Sequence, residues 1–162
     1  MFSPWRSAYI DTFKENKKGR ICLFCKMKRE KKEDEKHLVV WRGKHCFVVM
    51  NKYPYNSGHV LIVPYKHASD FLDLSPEEHK EIMKTASRCI KILRALSKPD
   101  GFNFGANLGR AAGAGVDKHI HFHVVPRWNG DMNFMPVLAD VKIVSEFIEA
   151  TRGALIKKFK DS

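Results

Sequence analysis

The stretch His119-Ile120-His121-Phe122-His123-Val124-Val125-Pro126-Arg127-Trp128 decides how this chain is read. Histidines at i, i+2 and i+4 alternate with Ile120, Phe122 and Val124, and strict alternation of this kind predicts a half-buried β-strand. Successive side chains on a strand point to opposite faces. The three imidazoles therefore share one face, and the apolar residues turn to the core. Pro126 is expected to end the run or to confine it to a sheet edge. Neighbouring histidines would stand roughly 6.6 Å apart and the outer two roughly 13 Å, whereas a metal holds each nitrogen within about 2.1 Å. The spacing argues against one three-histidine metal site and for separate tasks: metal ligand, nucleophile, phosphate hydrogen-bond donor. A solvated strand face is the bland alternative, and three histidines at this spacing weigh against it.

The rest of the chain sets the frame. Its 162 residues suit one domain, 1–162, with a real core, and its 44% hydrophobic content is that of a globular protein. No apolar run approaches the roughly 20 residues that span a bilayer, and residues 1–6 lack the apolar stretch of a signal peptide. A cytoplasmic protein with no membrane partner is expected. The formal net charge of +11 suits a polyanionic ligand. Nucleic acid is a less favoured partner, because no aromatic-interleaved basic motif accompanies the charge, which lies in mixed-sign or terminal runs. Of the four cysteines, Cys22 and Cys25 form a C-x-x-C. Cys46 and Cys89 read as small buried hydrophobes.

In chain order, residues 4–14 read as a short helix and Cys22–Cys25 as a tight knuckle. Residues 26–36 read as an exposed loop or frayed helix. Residues 37–41 and 46–50 are paired strands across Arg42-Gly43-Lys44, and 59–64 is a third strand. Ser75-Pro76-Glu77-Glu78 opens a helix with a capping box. Ile82, Ala86, Cys89, Ile90, Leu93 and Leu96 form its apolar stripe, which stops before Pro99. Residues 102–107 are a fourth strand, and Gly109–Gly115 is a loop able to bring bare backbone close to a ligand. A last amphipathic helix covers 145–160, with Phe147, Ile148, Thr151, Leu155 and Phe159 on one side.

Together these residues resemble the histidine-triad (HIT) family of nucleotide hydrolases and transferases. The resemblance rests on H-x-H-x-H with two apolar residues after it, on Asn51, on Gly58-His59-Val60-Leu61-Ile62-Val63-Pro64 with His67 beyond, and on Asn107 with Gly113 and Gly115. The segments Asn51–His59 and Pro126–Met135 look like the bacterial branch with diadenosine-tetraphosphate phosphorylase activity. The resemblance implies an α+β, HIT-like fold: an antiparallel sheet of about five strands, a long packed helix and a C-terminal helix, usually as a homodimer. Nothing in it calls for an organic cofactor.

Residue by residue, the resemblance implies that His121 attacks an α-phosphorus and carries a nucleotidyl-histidine intermediate. His123 and His59 would approach the phosphates or leaving group. Asn51 would bind ribose, Asn107 phosphate or ribose, and Gly113 and Gly115 would offer backbone N–H groups. Leu23, Phe24 and Leu61 would sandwich the base. The residues alone leave other readings open: Asn51 and Asn107 as strand-end turns, the glycines as turn chemistry, Phe24 and Leu61 as core. Cys22-x-x-Cys25 has zinc-knuckle spacing, and some relatives complete such a pair with two histidines. A structural zinc held by Cys22, Cys25, His67 and His119 is therefore expected. The substrate implied is an adenine dinucleoside polyphosphate, with phosphate or water as acceptor. The competing reading is a non-catalytic module that binds AMP or an adenylylated nucleic-acid end.

Overall fold

The computed structural model describes residues 21–131 and 148–161. The expected helix over residues 4–14 and the side chain of Phe147 lie outside them. The elements are α1 (Leu23–Arg29), β1 (Val39–Arg42), β2 (Cys46–Met50), β3 (Val60–Pro64), α2 (Pro76–Ser97), β4 (Gly101–Ala106), β5 (Phe122–Arg127) and α3 (Ile148–Lys160). The fold is α+β. Five strands form one sheet in the order β1-β2-β3-β5-β4, antiparallel at every pairing. Among the described residues no helix is long and apolar enough to cross a membrane.

Period-two alternation sorts the sheet into two apolar faces. Cys46, Val48, Met50, Val60, Ile62, Ile120, Phe122 and Val124 turn to one face. There they pack on Ile82, Ala86, Cys89 and Leu93 of α2 and on Leu155 and Phe159 of α3. Phe47, Val49, Leu61 and Val63 turn to the other, under Phe24 and Met27 of α1. β2 and β3 are thus buried on both sides, not half-buried. The strands expected over 37–41, 46–50, 59–64 and 102–107 all form, within a residue or two at each end.

Helix α2 starts as its sequence dictates. Ser75 Oγ accepts from the Glu78 N–H (3.3 Å), and the Glu78 carboxylate accepts from the Ser75 N–H (2.8 Å). Ile82, Ala86, Cys89 and Leu93 are buried and Ile90 is partly so, while Leu96 lies at the exposed end. Pro99 follows the last turn, where no helix can continue. Cys46 and Cys89 are fully buried, as expected.

The histidine strand departs from expectation at both ends. It begins at Phe122, so His119–His121 precede it, and it runs through Pro126 to Arg127. At the start, Ile120 N–H donates to Ala68 O (2.7 Å) and the His119 ring bonds Pro64 O (2.9 Å), so a side chain occupies the end of the β3–β5 ladder where main-chain pairing would continue. At the end, Pro126 O accepts from Asn56 Nδ2 (3.2 Å), on the β3 side. The N–H and C=O of an antiparallel residue face the same neighbour. The missing N–H of Pro126 therefore faces a level where β3 has not yet begun, and no ladder bond is lost.

Candidate active site

Leu61 pairs with His123 across β3 and β5, which puts the imidazoles on the α1 face of the sheet. His121 and His123 stand with ring centroids 5.0 Å apart. Phe24 packs on His121 at 5.1 Å and on the edge of His119 at 5.3 Å. His121 is only 5% exposed, and burial lowers its pKa below the ordinary histidine value. Its ring is therefore neutral at pH 7. Its Nδ1 lies 3.0 Å from the His119 carbonyl, which only accepts, so Nδ1 carries the proton and Nε2 the lone pair.

A second tautomer is set in the same way. His59 Nδ1 accepts from the Tyr55 N–H (3.0 Å) and lies 3.3 Å from Asn51 Nδ2. The His59 proton is then on Nε2, which donates to His123 Nδ1 at 2.9 Å. Burial, reinforced by His121, pushes the pKa of His123 down to about 4. His123 is thus neutral with its proton on Nε2, a buried donor with no hydrogen-bond partner among the described residues. A buried donor left open is costly. Beside a nucleophilic nitrogen it is suited to an anionic oxygen brought in by a ligand.

The other expected site residues are placed as follows. His59 is fully buried, with its Nε2 2.9 Å from His123 Nδ1. Asn51 Oδ1 accepts from the Tyr53 N–H (3.0 Å), the turn its residue type favours, while its Nδ2 faces His59. Phe24 and Leu61 are 3% and 8% exposed and belong to the second apolar face, whereas Leu23 is exposed. Phe24 meets imidazoles on the side where a base was expected. Ala106 pairs with Phe122, so Asn107 follows at the level of His121, and the loop carrying Gly113 and Gly115 lies beyond that end of the sheet. Gly113 has φ +91°, a conformation open to glycine.

Cys22, Cys25, His67 and His119 converge, their ligand atoms all within 4.8 Å of one another. Cys22 and Cys25 lie not in a knuckle but at the start of α1, where Cys22 caps the helix and the Lys26 N–H donates to Cys22 O (2.9 Å). One helical turn sets the two thiols on one side. Cys22 Sγ lies 3.3 Å and Cys25 Sγ 3.7 Å from His119 Nδ1, Cys25 Sγ lies 3.3 Å from His67 Nδ1, and the two Nδ1 atoms lie 3.3 Å apart. A tetrahedral zinc has S···N edges of about 3.6 Å and N···N edges of about 3.4 Å. The donor set fits. His119 Nε2 donates to Pro64 O, leaving the Nδ1 lone pair for a metal, and burial pushes the pKa of this ring down to about 4. Burial and the neighbouring Cys22 push the Cys25 thiol up, and a bound cation would reverse that.

Three residues that matter were not picked out from the sequence: Tyr55, Asn56 and Asp131. The Tyr55 ring lies against His59 (4.8 Å) and His123 (5.7 Å). Asp131 accepts two bonds from Arg127 (2.6 and 2.7 Å) and one each from Asn56 Nδ2 (2.7 Å) and the Trp128 N–H (3.1 Å). Arg127 also donates to Asn103 Oδ1 of β4 (2.7 Å), while Asn56, through Asp131 and Pro126 O, ties the loop 51–58 to the end of β5. The available signals were the turn-rich composition of that loop and the resemblance of the segments Asn51–His59 and Pro126–Met135 that contain them.

Fold and site define the class: a small α+β protein with a neutral, tautomer-fixed histidine pair on one sheet face and a Cys2His2 cluster beside it. Residues 31–130 match the HIT domain. An AP-4-A phosphorylase of Mycobacterium tuberculosis is 43% identical over 122 residues, which cover 75% of this chain. The chain spans 63% of that relative's length. A Zn-bound histidine triad family protein of Mycobacterium smegmatis superposes with TM-score 0.68 at 27% identity, over 86% of this chain and 94% of its own. A hypothetical histidine triad nucleotide-binding protein of Sulfolobus tokodaii gives 0.69 at 26% identity, over 86% and 93%. The chain belongs to the HIT family.

Proposed function

We propose that residues 1–162 form one enzymatic domain that cleaves dinucleoside polyphosphates, diadenosine tetraphosphate foremost, through a nucleotidyl-histidine intermediate. The observation that carries this is the tautomer of His121: neutral, Nδ1–H held by its own main chain, Nε2 lone pair available. The name of the Mycobacterium tuberculosis relative and the net charge of +11 support the substrate class. The Nε2 lone pair forms a bond to the α-phosphorus while the bridging P–O bond breaks, its electron pair leaving with the nucleoside triphosphate. His123 Nε2–H hydrogen-bonds the departing oxygen, backed by His59. An oxygen of phosphate or water then attacks the phosphorus, breaks the P–Nε2 bond and restores His121. Two displacements thus replace one. Asn51, Asn107, Gly113 and Gly115 are the residues we assign to ribose and phosphate, and Phe24 and Leu61 to the base side.

Zinc is the metal we assign to Cys22, Cys25, His67 and His119, with the Mycobacterium smegmatis neighbour in support. Bound there it supplies a structural cross-link between α1, β3 and the residues before β5. We read the protein as a cytoplasmic homodimer. β4 forms the sheet edge and exposes Asn103, Phe104 and Gly105, an edge suited to a second copy.

Intact mass after mixing with diadenosine tetraphosphate tests the reading. An adenylyl adduct in the wild type and none in His121→Ala is expected. ADP that appears only with inorganic phosphate marks phosphorolysis, and AMP marks hydrolysis. Bound AMP with neither adduct nor turnover overturns catalysis in favour of a binding module.

A further inference from the structure

The two halves of the Cys2His2 cluster are held differently. His119 is fixed to the sheet by its bond to Pro64 O, whereas both thiols ride on α1, with Cys22 as its cap. This helix has seven residues, and one so short does not hold itself in water. Its place is set by what it touches. Phe24 and Met27 are buried against the sheet, and Lys28 Nζ donates to Tyr65 O (3.2 Å). At its far end Lys26 O accepts from the Glu30 N–H (3.0 Å), and Met27 O accepts from Arg42 Nη2 (2.8 Å). The last carbonyls of a helix need such partners, and a cation there also meets the negative end of the helix dipole. Arg42 reaches in from the end of β1, its guanidinium 5.3 Å from the centre of the Phe47 ring. Asp34 grips it: Nε lies 3.0 and 3.2 Å from the two carboxylate oxygens, and Nη2 lies 2.5 Å from Oδ1. The Arg42 side chain is 16% exposed, so the fork is held in one orientation.

We propose that Arg42, clamped by Asp34, is a positioning residue for the cluster. By seating α1 it aims both thiols at His67 and His119 before a metal arrives, and it slows the metal's departure. This rests on the zinc assigned above. Met27 lies two residues past Cys25, so the effect is carried along the helix. Without the clamp, binding would first have to order α1, and that cost would be drawn from the affinity. Phe24, between the two cysteines in the chain, would share in any loosening, and it is the ring that packs on His121 at 5.1 Å.

The test follows zinc as it leaves the full-length, metal-loaded protein for an excess of a coloured chelator. Arg42→Met keeps an apolar stem and removes the fork. It should release zinc roughly tenfold faster, the scale on which groups behind metal ligands act. Asp34→Asn keeps the shape and weakens the grip, and should speed release by a smaller factor. It carries the test should Arg42→Met fail to fold. Asp131→Asn controls for general loss of stability, because Arg127, Asn56 and Trp128, its partners, lie outside α1. Its release should match the wild type. Wild-type release from both Arg42→Met and Asp34→Asn overturns the proposal. Equal quickening in Asp131→Asn overturns it too, since any destabilisation would then free the metal. A wild type that takes up no zinc sinks the assigned metal and this role together, whereas stoichiometric zinc with unchanged release sinks the role alone.

Discussion

Asp131→Asn removes the charge that gathers Arg127, Asn56 and the Trp128 main chain. Hydrogen bonds from the Arg127 guanidinium, with further bonds from Trp128 N–H and Asn56, hold the Asp131 pKa down to about 2, against 3.8 for a free aspartate. Converted directly, that depression is about 2.5 kcal/mol of folding stability. The Arg127 side chain is 35% exposed and the Asp131 side chain 11%, so solvent screens the pair and about 1–2 kcal/mol is expected. A carboxylate with a depressed pKa contributes fully above its unfolded pKa, and the contribution fades as pH falls toward the folded one. About half of it should remain at pH 3. Urea unfolding of wild type and Asp131→Asn between pH 7 and pH 3 measures both quantities, and the difference between the two proteins cancels other titrating groups. A gap under about 0.5 kcal/mol at pH 7 would refute the reasoning, as would a gap that does not narrow toward pH 3. Amide exchange at His59, whose N–H donates to Asn56 O, should quicken in the variant if the loop loosens as argued.

Other consequences follow from the same contacts. His59→Phe keeps ring volume but removes the donor to His123 Nδ1, and kcat/KM should fall about a hundredfold; a loss under threefold would place His59 outside the reaction. Cys25→Ser, or a chelator, should release one zinc per chain and lower the melting temperature, with zinc restoring it in the wild type alone. Unchanged melting after metal loss would count against a structural ion. Metal retention should weaken as pH falls, because protons compete for both thiolates and both imidazoles. In Gly43→Ala the new methyl would meet the Glu81 carboxylate and Trp41. Glu81 accepts from the His45 and Cys46 N–H groups (2.8 and 3.2 Å), so its displacement should cost about 1–3 kcal/mol in a denaturant titration.

Much of this molecule is written in local periodicity. Alternation in 119–124 separates the core face of the histidine stretch from its imidazole face, and Ser75-Pro76-x-Glu78 starts α2 at its observed residue. These signals are legible because each depends on side-chain direction or on a cap within a few residues. The same alternation shows that His121 and His123 share a face. The spacing argument kept their tasks apart, and the placement of His119 in the cysteine cluster accords with it.

What only the tertiary structure decided are contacts between residues far apart in the chain. Which nitrogen of His121 and of His59 holds its proton depends on a carbonyl and on the Tyr55 N–H, which no residue pattern reports. That His59 Nε2 meets His123 Nδ1 at 2.9 Å depends on the pairing of β3 with β5, which residue patterns do not report. The role of Arg127 appears once Asp131 and Asn56 are seen around it, and Tyr55 once its loop folds over His123. Sequence determines which side chains face the same way, since that follows from backbone geometry. Hydrogen-bond direction and ring stacking require two segments to meet at a set distance, and that is a property of the packed chain.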